Sequence, residues 1–181
     1  DFFLSGDLAT VAEQRFRKAL EISEELVAEH PNVPKFVASQ ADILFKLAET
    51  LRRAGNATDA QGLLRRSLDL QSSLARRFPN VLGYTIKTTR LEFELARLLR
   101  EKGEESAARS LLESSTSRLE ELMQKKPPKW PIDWILGLHY SELTSLLRDM
   151  NDPEAAETVE SRARQIGVQI PMHPPHRHRR H

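Results

Sequence analysis

The sequence predicts an all-α protein, a solenoid of antiparallel helix pairs, on three observations. First, it repeats: Pro31, Pro79 and Pro127 lie 48 residues apart, and sliding the chain by 48 aligns Leu47, Leu95 and Leu143 as well as Leu51, Leu99 and Leu147. Arg52, Arg100 and Arg148 follow directly behind, Leu26, Leu74 and Leu122 form another column, and Ala12, Ala60, Ala108 and Ala156 a further one. Second, each period holds two segments with apolar residues at helical spacing and none with strand alternation. Third, Gly55, Gly103 and Asn151 recur at the period, and Gly and Asn are the residues that turn a chain out of a helix. A repeat of paired amphipathic helices buries its apolar faces by stacking on its neighbours.

The elements follow in order. A helix from about Asp7 to Glu29 matches the second helix of a period, so residues 1–30 read as the end of a truncated upstream repeat, with Phe2, Phe3 and Leu4 as the tail of its lost partner. Residues 31–78 form a full repeat. Its first helix, PKFVASQADILFKLAETLRRAG, carries Phe36, Ile43, Leu44, Leu47, Ala48 and Leu51 on one side and stops at Gly55. Its second, NATDAQGLLRRSLDLQSSLARRFP, ends before Pro79, whose ring cannot continue the hydrogen-bond ladder. Residues 79–126 repeat the pattern. Residues 127–166 form a last repeat whose second helix, PEAAETVESRARQIG, is shortened and charged as a solubilising cap, closing at Gly167. Residues 167–181 read as a flexible Pro/His/Arg tail. Phe36, Tyr84 and Ile132 share a column at the helix entrances, with Trp130 and Trp134 near the last, and are expected to pack between repeats.

The stretch LAETLRRAGNATDAQGLLRRSL resembles the tetratricopeptide repeat (TPR). The family's pattern of large, Leu, small and bulky residues, then turn Gly, Ala, bulky and small, falls on Leu44, Leu47, Ala48, Leu51, Gly55, Ala60, Leu64 and Ser67. The second copy matches at Leu95, Ala96, Leu99, Gly103, Ala108, Leu112 and Ser115, but carries Glu92 where a large apolar residue is expected. The third fits at Tyr140, Leu143, Thr144, Leu147, Ala156 and Ala163 and departs at Asn151 and Glu160; Ala12, Phe16 and Ala19 match half of an earlier copy. The usual unit has 34 residues, and this lengthened one is similar to the repeats of kinesin light chains and to those appended to bacterial serine/threonine kinases and regulators. The resemblance implies a right-handed α-α superhelix, and a non-catalytic module that binds a protein or peptide on its concave groove. It also implies the C-terminal repeat region of a larger bacterial regulatory or signalling protein.

Transferring the family's groove-facing offsets gives Asp42, Phe45, Glu49, Arg52 and Arg53, then Arg90, Phe93, Arg97, Arg100 and Glu101, then Leu138, Ser141, Ser145, Arg148 and Asp149. Phe45, Arg52, Arg90, Phe93, Arg97, Arg100 and Arg148 are the candidate binding residues. Guanidinium groups grip carboxylates with two hydrogen bonds, and a neighbouring Phe anchors an apolar side chain, so an acidic peptide with aromatic or aliphatic residues is the expected ligand. The carboxylate-clamp subtype is excluded, because Phe45 and Glu49 stand where it needs Lys and Asn. The bland alternative makes these Arg a solvated face and Phe45 and Phe93 ordinary packing between repeats. The whole chain then serves as a structural or oligomerisation spacer.

Composition excludes much else. The 27 Lys and Arg nearly balance the 26 Asp and Glu, which argues against bulk binding of nucleic acid or of a membrane surface. There is no cysteine, hence no disulfide, thiolate metal site or cysteine nucleophile. No glycine-rich phosphate loop, HExxH or nucleophile elbow occurs, so no enzyme activity and no cofactor are expected. His173, His176, His178 and His181 crowd the last nine residues and are weak metal candidates, mixed with the basic Arg177, Arg179 and Arg180. His30 and His139 stand alone and read as structural. No stretch suits a membrane span and no signal-peptide pattern is present, so the cytoplasm is the expected compartment unless an upstream span carries the chain across.

Overall fold

Each period turns where the sequence carries Gly or Asn. In the computed structural model, which describes residues 2–125 and 131–171, Gly55, Gly103 and Asn151 all have positive φ (85°, 77° and 59°). The backbone closes in the same way at two of these turns: the amide of Gly55 donates to Arg52 O and that of Asn56 to Leu51 O, as Asn151 and Asp152 donate to Arg148 O and Leu147 O. This is the double bond of a left-handed helix end, which satisfies carbonyls left over by the last turn. The next helix starts at once. Asn56 caps it by accepting from Asp59 N, and its period-mate Asp152 accepts from Ala155 N.

The described residues form seven helices and no strand: α1 (Phe2–Glu29), α2 (Pro34–Arg53), α3 (Ala57–Arg77), α4 (Leu82–Glu101), α5 (Glu105–Gln124), α6 (Ile132–Asp149) and α7 (Pro153–Gln165). None is long and apolar enough to cross a membrane. The helix α2 opens on Pro34, whose missing N–H is one the first turn leaves unused anyway. The alternation of first-type helices (α2, α4, α6) with second-type helices (α1, α3, α5, α7) is the one expected from the period. One boundary differs. The helix α1 runs unbroken from Phe2, through the column where later repeats turn, so residues 2–4 continue the second-type helix instead of ending a first-type one. That column holds Asp7, which has no glycine-like freedom to take the left-handed conformation.

The chain forms two compact units, the first ending at Leu99 and the second beginning at Arg100, inside α4. In the first, α2 packs against both α1 and α3. Leu44, Leu47, Ala48, Leu51, Ala60, Leu64 and Leu74 are buried there, the columns read from the sequence. A small residue at Ala48 or Ala60 lets two backbones approach closely, and each buried Leu contributes about 2 kcal/mol in apolar transfer. Ser67 sits at such a position and donates to Ala41 O (2.7 Å), so its hydroxyl is buried without loss. In the second unit α6 packs against α5 and α7 around Leu112, Leu119, Leu136, Leu143, Leu146 and Leu147. The helix α1 is covered less completely: Leu26 is 37% exposed where its period-mates Leu74 and Leu122 are 0% and 2%.

The entrance column is not uniform. Ile132 is buried, whereas Phe36 and Tyr84 are half-buried and tilt against His30 and Phe78, themselves one period apart, at 5.7 and 6.1 Å between ring centroids. Trp134 points outward, 60% exposed, while Trp130 lies outside the described residues.

Candidate functional site

In the first unit two of the candidate residues, Phe45 of α2 and Arg90 of α4, meet between the helices. Phe45 is buried, and the Arg90 guanidinium lies 4.8 Å from its ring centre, with Lys46 at 5.2 Å on its own helix. One turn before, Lys87 reaches Asp42 (2.6 Å). The two contacts between helices, Arg90 with Phe45 and Lys87 with Asp42, each join residues 45 positions apart, three short of the period, so α4 meets α2 with an offset of about one turn. Arg90, Phe93 and Arg97 share a face of α4 by their spacing. Arg90 is exposed, Phe93 is half-buried, and Arg97 is 38% exposed, 5.9 Å from the Phe93 ring centre and 3.8 Å from Glu94. Arg52 is half-exposed at the end of α2. The first unit thus carries a half-buried Phe93 on the same helix face as the guanidinium groups of Arg90 and Arg97.

The second unit is different. Arg100, only 15% exposed, hydrogen-bonds Glu142 (2.6 Å), Ser145 (2.8 Å) and Asp149, all on α6. Burial works against its charge, and the hydrogen bonds to Asp149 and Glu142 more than compensate, so its pKa is held above the usual guanidinium range. Arg148 turns to Glu160 on α7. That contact accounts for Glu160, an acid in the column where Leu64 and Leu112 are buried: the carboxylate points to a cation at the surface of a shortened helix.

Two further histidine and tyrosine sites are structural. His139 is buried, with Nδ1 2.8 Å from Ser115 Oγ, and burial pushes its pKa down to about 4, so the ring is neutral. The Ser115 hydroxyl donates to Leu112 O, which leaves the imidazole N–H to donate to Ser115. The pair lies within the α5–α6 packing, Ser115 fully buried and His139 nearly so. Tyr140 donates to Glu120, which also accepts from Arg162 (2.7 Å); burial, with the nearby carboxylate, raises the phenol pKa. Among the described residues no group of three or more His, Asp and Glu is placed to hold a metal ion. His173, His176, His178 and His181, with Arg177, Arg179 and Arg180, lie outside the described residues.

Sequence reasoning missed the acceptors of Arg100 and a contact at Gly137. The signal for the second was available, since a glycine inside a helix weakens it and needs a packing reason.

No family model matches the chain, and no curated protein matches it. Among solved structures it is similar to BtubC (BKLC) from P. vanneervenii, with a TM-score of 0.59 and 18% identity over 96% of this chain. It spans 66% of that protein's length, just under two thirds. A kinesin light chain protein of Podosopora anserina with nearly identical TPR-like repeats gives a TM-score of 0.33 at 19% identity, covering 89% of this chain and 92% of that one. The repeat columns, the helix pairs and the likeness to BtubC agree: this chain has the fold of a TPR-like helical repeat protein.

Proposed function

We propose that this chain is a non-catalytic protein-interaction module, the repeat region of a larger regulatory or signalling protein, and that it takes its partner on the first-type helices. The observation that carries this reading is the α4 face, where half-buried Phe93 shares its side of the helix with exposed Arg90 and the 38% exposed Arg97. A segment offering a carboxylate and an aliphatic or aromatic side chain complements it. The half-covered columns of α1 support a further part of the reading, that residues 1–30 are the second helix of a repeat whose first helix lies upstream.

Affinity capture tests it, comparing wild type with a Phe93→Ala/Arg97→Glu variant whose helical circular dichroism is unchanged. A partner held by wild type and lost by the variant is expected. A partner held equally by both overturns the α4 site. One observation favours the alternative of a spacer: Arg100 and Arg148, counted among the binding cations, are engaged with Glu142, Asp149 and Glu160 of the same chain. No captured partner, together with concentration-dependent self-association, would decide for that alternative.

A further inference from the structure

The last second-type helix stops early. Carried forward by one period, the end of α5 falls at residue 172, whereas α7 ends at Gln165, two turns short. Gly167, at φ +75°, turns the chain, and Val168 N–H closes on Ala163 O (2.9 Å). Val168 is then buried (5% exposed), and Ile170 and Pro171 are half-buried, with no helix or strand in this stretch. It lies directly on α6. A Cβ built on Gly137 would stand 2.3 Å from the Gln169 carbonyl oxygen and 3.4 Å from Pro171 Cδ, so the crossing admits only glycine. The Ser141 hydroxyl donates to Pro171 O (3.0 Å).

Ser141 stands two periods after Phe45. On α2 that column is covered by Arg90 of the following first-type helix. On α6 it is covered by the extended segment. Residues 168–171 therefore occupy, on the last repeat, the register that a neighbouring first-type helix occupies on the first, with a close backbone crossing at Gly137, one hydrogen bond to α6, and Val168 buried at the start of the segment.

We propose that Val168–Pro171 is a strap bound in cis, and that the α6 face beneath it is a docking site for an extended partner segment of the same chemistry. That segment carries an aliphatic residue for the Val168 position, a close backbone crossing at Gly137, and a carbonyl for Ser141. Strap and partner compete, so the face opens only when the strap leaves. The proposal rests on the reading of first-type helices as the binding surface. Its test uses the chain's own segment as probe, so its failure leaves the α4 experiment standing.

The probe is a fluorescein-labelled peptide of residues 166–172, followed by anisotropy. A chain lacking residues 168–181 is expected to bind it saturably, and the full chain, like a control lacking only residues 172–181, at least tenfold more weakly. Gly137→Ala in the shortened chain is expected to reduce binding at least tenfold. A shortened chain with unchanged helical circular dichroism and no binding overturns the proposal. Should the shortened chain fail to fold, full-length Gly137→Ala decides. Several-fold faster proteolysis within residues 167–171, at unchanged helicity, supports a displaceable strap, and an unchanged cleavage rate overturns it.

Discussion

First-type helices meet a neighbour in both units, and the two meetings differ in wetness. In the first unit, Lys87 and Asp42 pair with about half of each side chain in solvent. In the second, Arg100 meets Glu142 with 15% and 6% of the side chains exposed, and Ser145 and Asp149 complete its hydrogen bonds. Lys87–Asp42 and Arg100–Ser145 share the 45-residue separation, so the packing offset is common to both units. What changes is the dielectric around the charges. An exposed pair exchanges one well-solvated state for another and contributes little, while a buried one is costly to break because the survivor is left unpaired.

Three measurements test this contrast. The largest effect is expected for Arg100→Met, which leaves the Glu142 carboxylate buried without its partner. Urea denaturation should show a loss of about 3–5 kcal/mol, and adding Glu142→Leu should recover much of it. A loss under about 1 kcal/mol would mean that water reaches the site and that the two units are alike. Next comes the pH dependence of the dry second unit. His139 has its folded pKa lowered to about 4 by burial, from an ordinary value of 6.5. The unfolded imidazole therefore takes up a proton that the folded one refuses. Stability is full above about pH 6.5, falls as pH drops towards 4, and loses about 3 kcal/mol across that window. In His139→Leu, which restores an aliphatic residue like Leu91 one period before, this pH dependence of stability should vanish between pH 5 and 7, so that the difference from wild type changes with pH. A slope unchanged by the substitution would place the titrating group elsewhere. The smallest effect belongs to the exposed pair: Lys87→Met should shift stability by no more than about 0.5 kcal/mol, and less still in high salt.

The fold was legible because a repeat writes its packing twice or more. Leu47, Leu95 and Leu143 share a column in the sequence and are all buried, and Gly55, Gly103 and Asn151 share the left-handed turn. Periodicity yields the direction in which a side chain leaves its helix. It does not yield what that side chain meets, because the neighbour is offset by about a turn and its acceptors vary between copies. Arg97 and Arg100 lie three residues apart on the same face, yet one is 38% exposed and the other is held by three acceptors. The strap was hidden for another reason. Residues 168–171 have no earlier copy to be compared with, and Gly137 announces a close crossing without saying which segment makes it.

The turns between paired helices have a last consequence. At Gly55 and Gly103 a Cβ would meet nothing within 4 Å. Space is therefore not what excludes other residues; the handedness of the backbone is. For an L-residue the left-handed conformation costs roughly 1–2 kcal/mol, whereas for its mirror image it is the preferred one. D-alanine at either position would thus fit without strain and narrow the unfolded ensemble, and L-alanine with the same atoms would weaken the turn. At Gly55 and Gly103 the turn selects for chirality while leaving room for a Cβ.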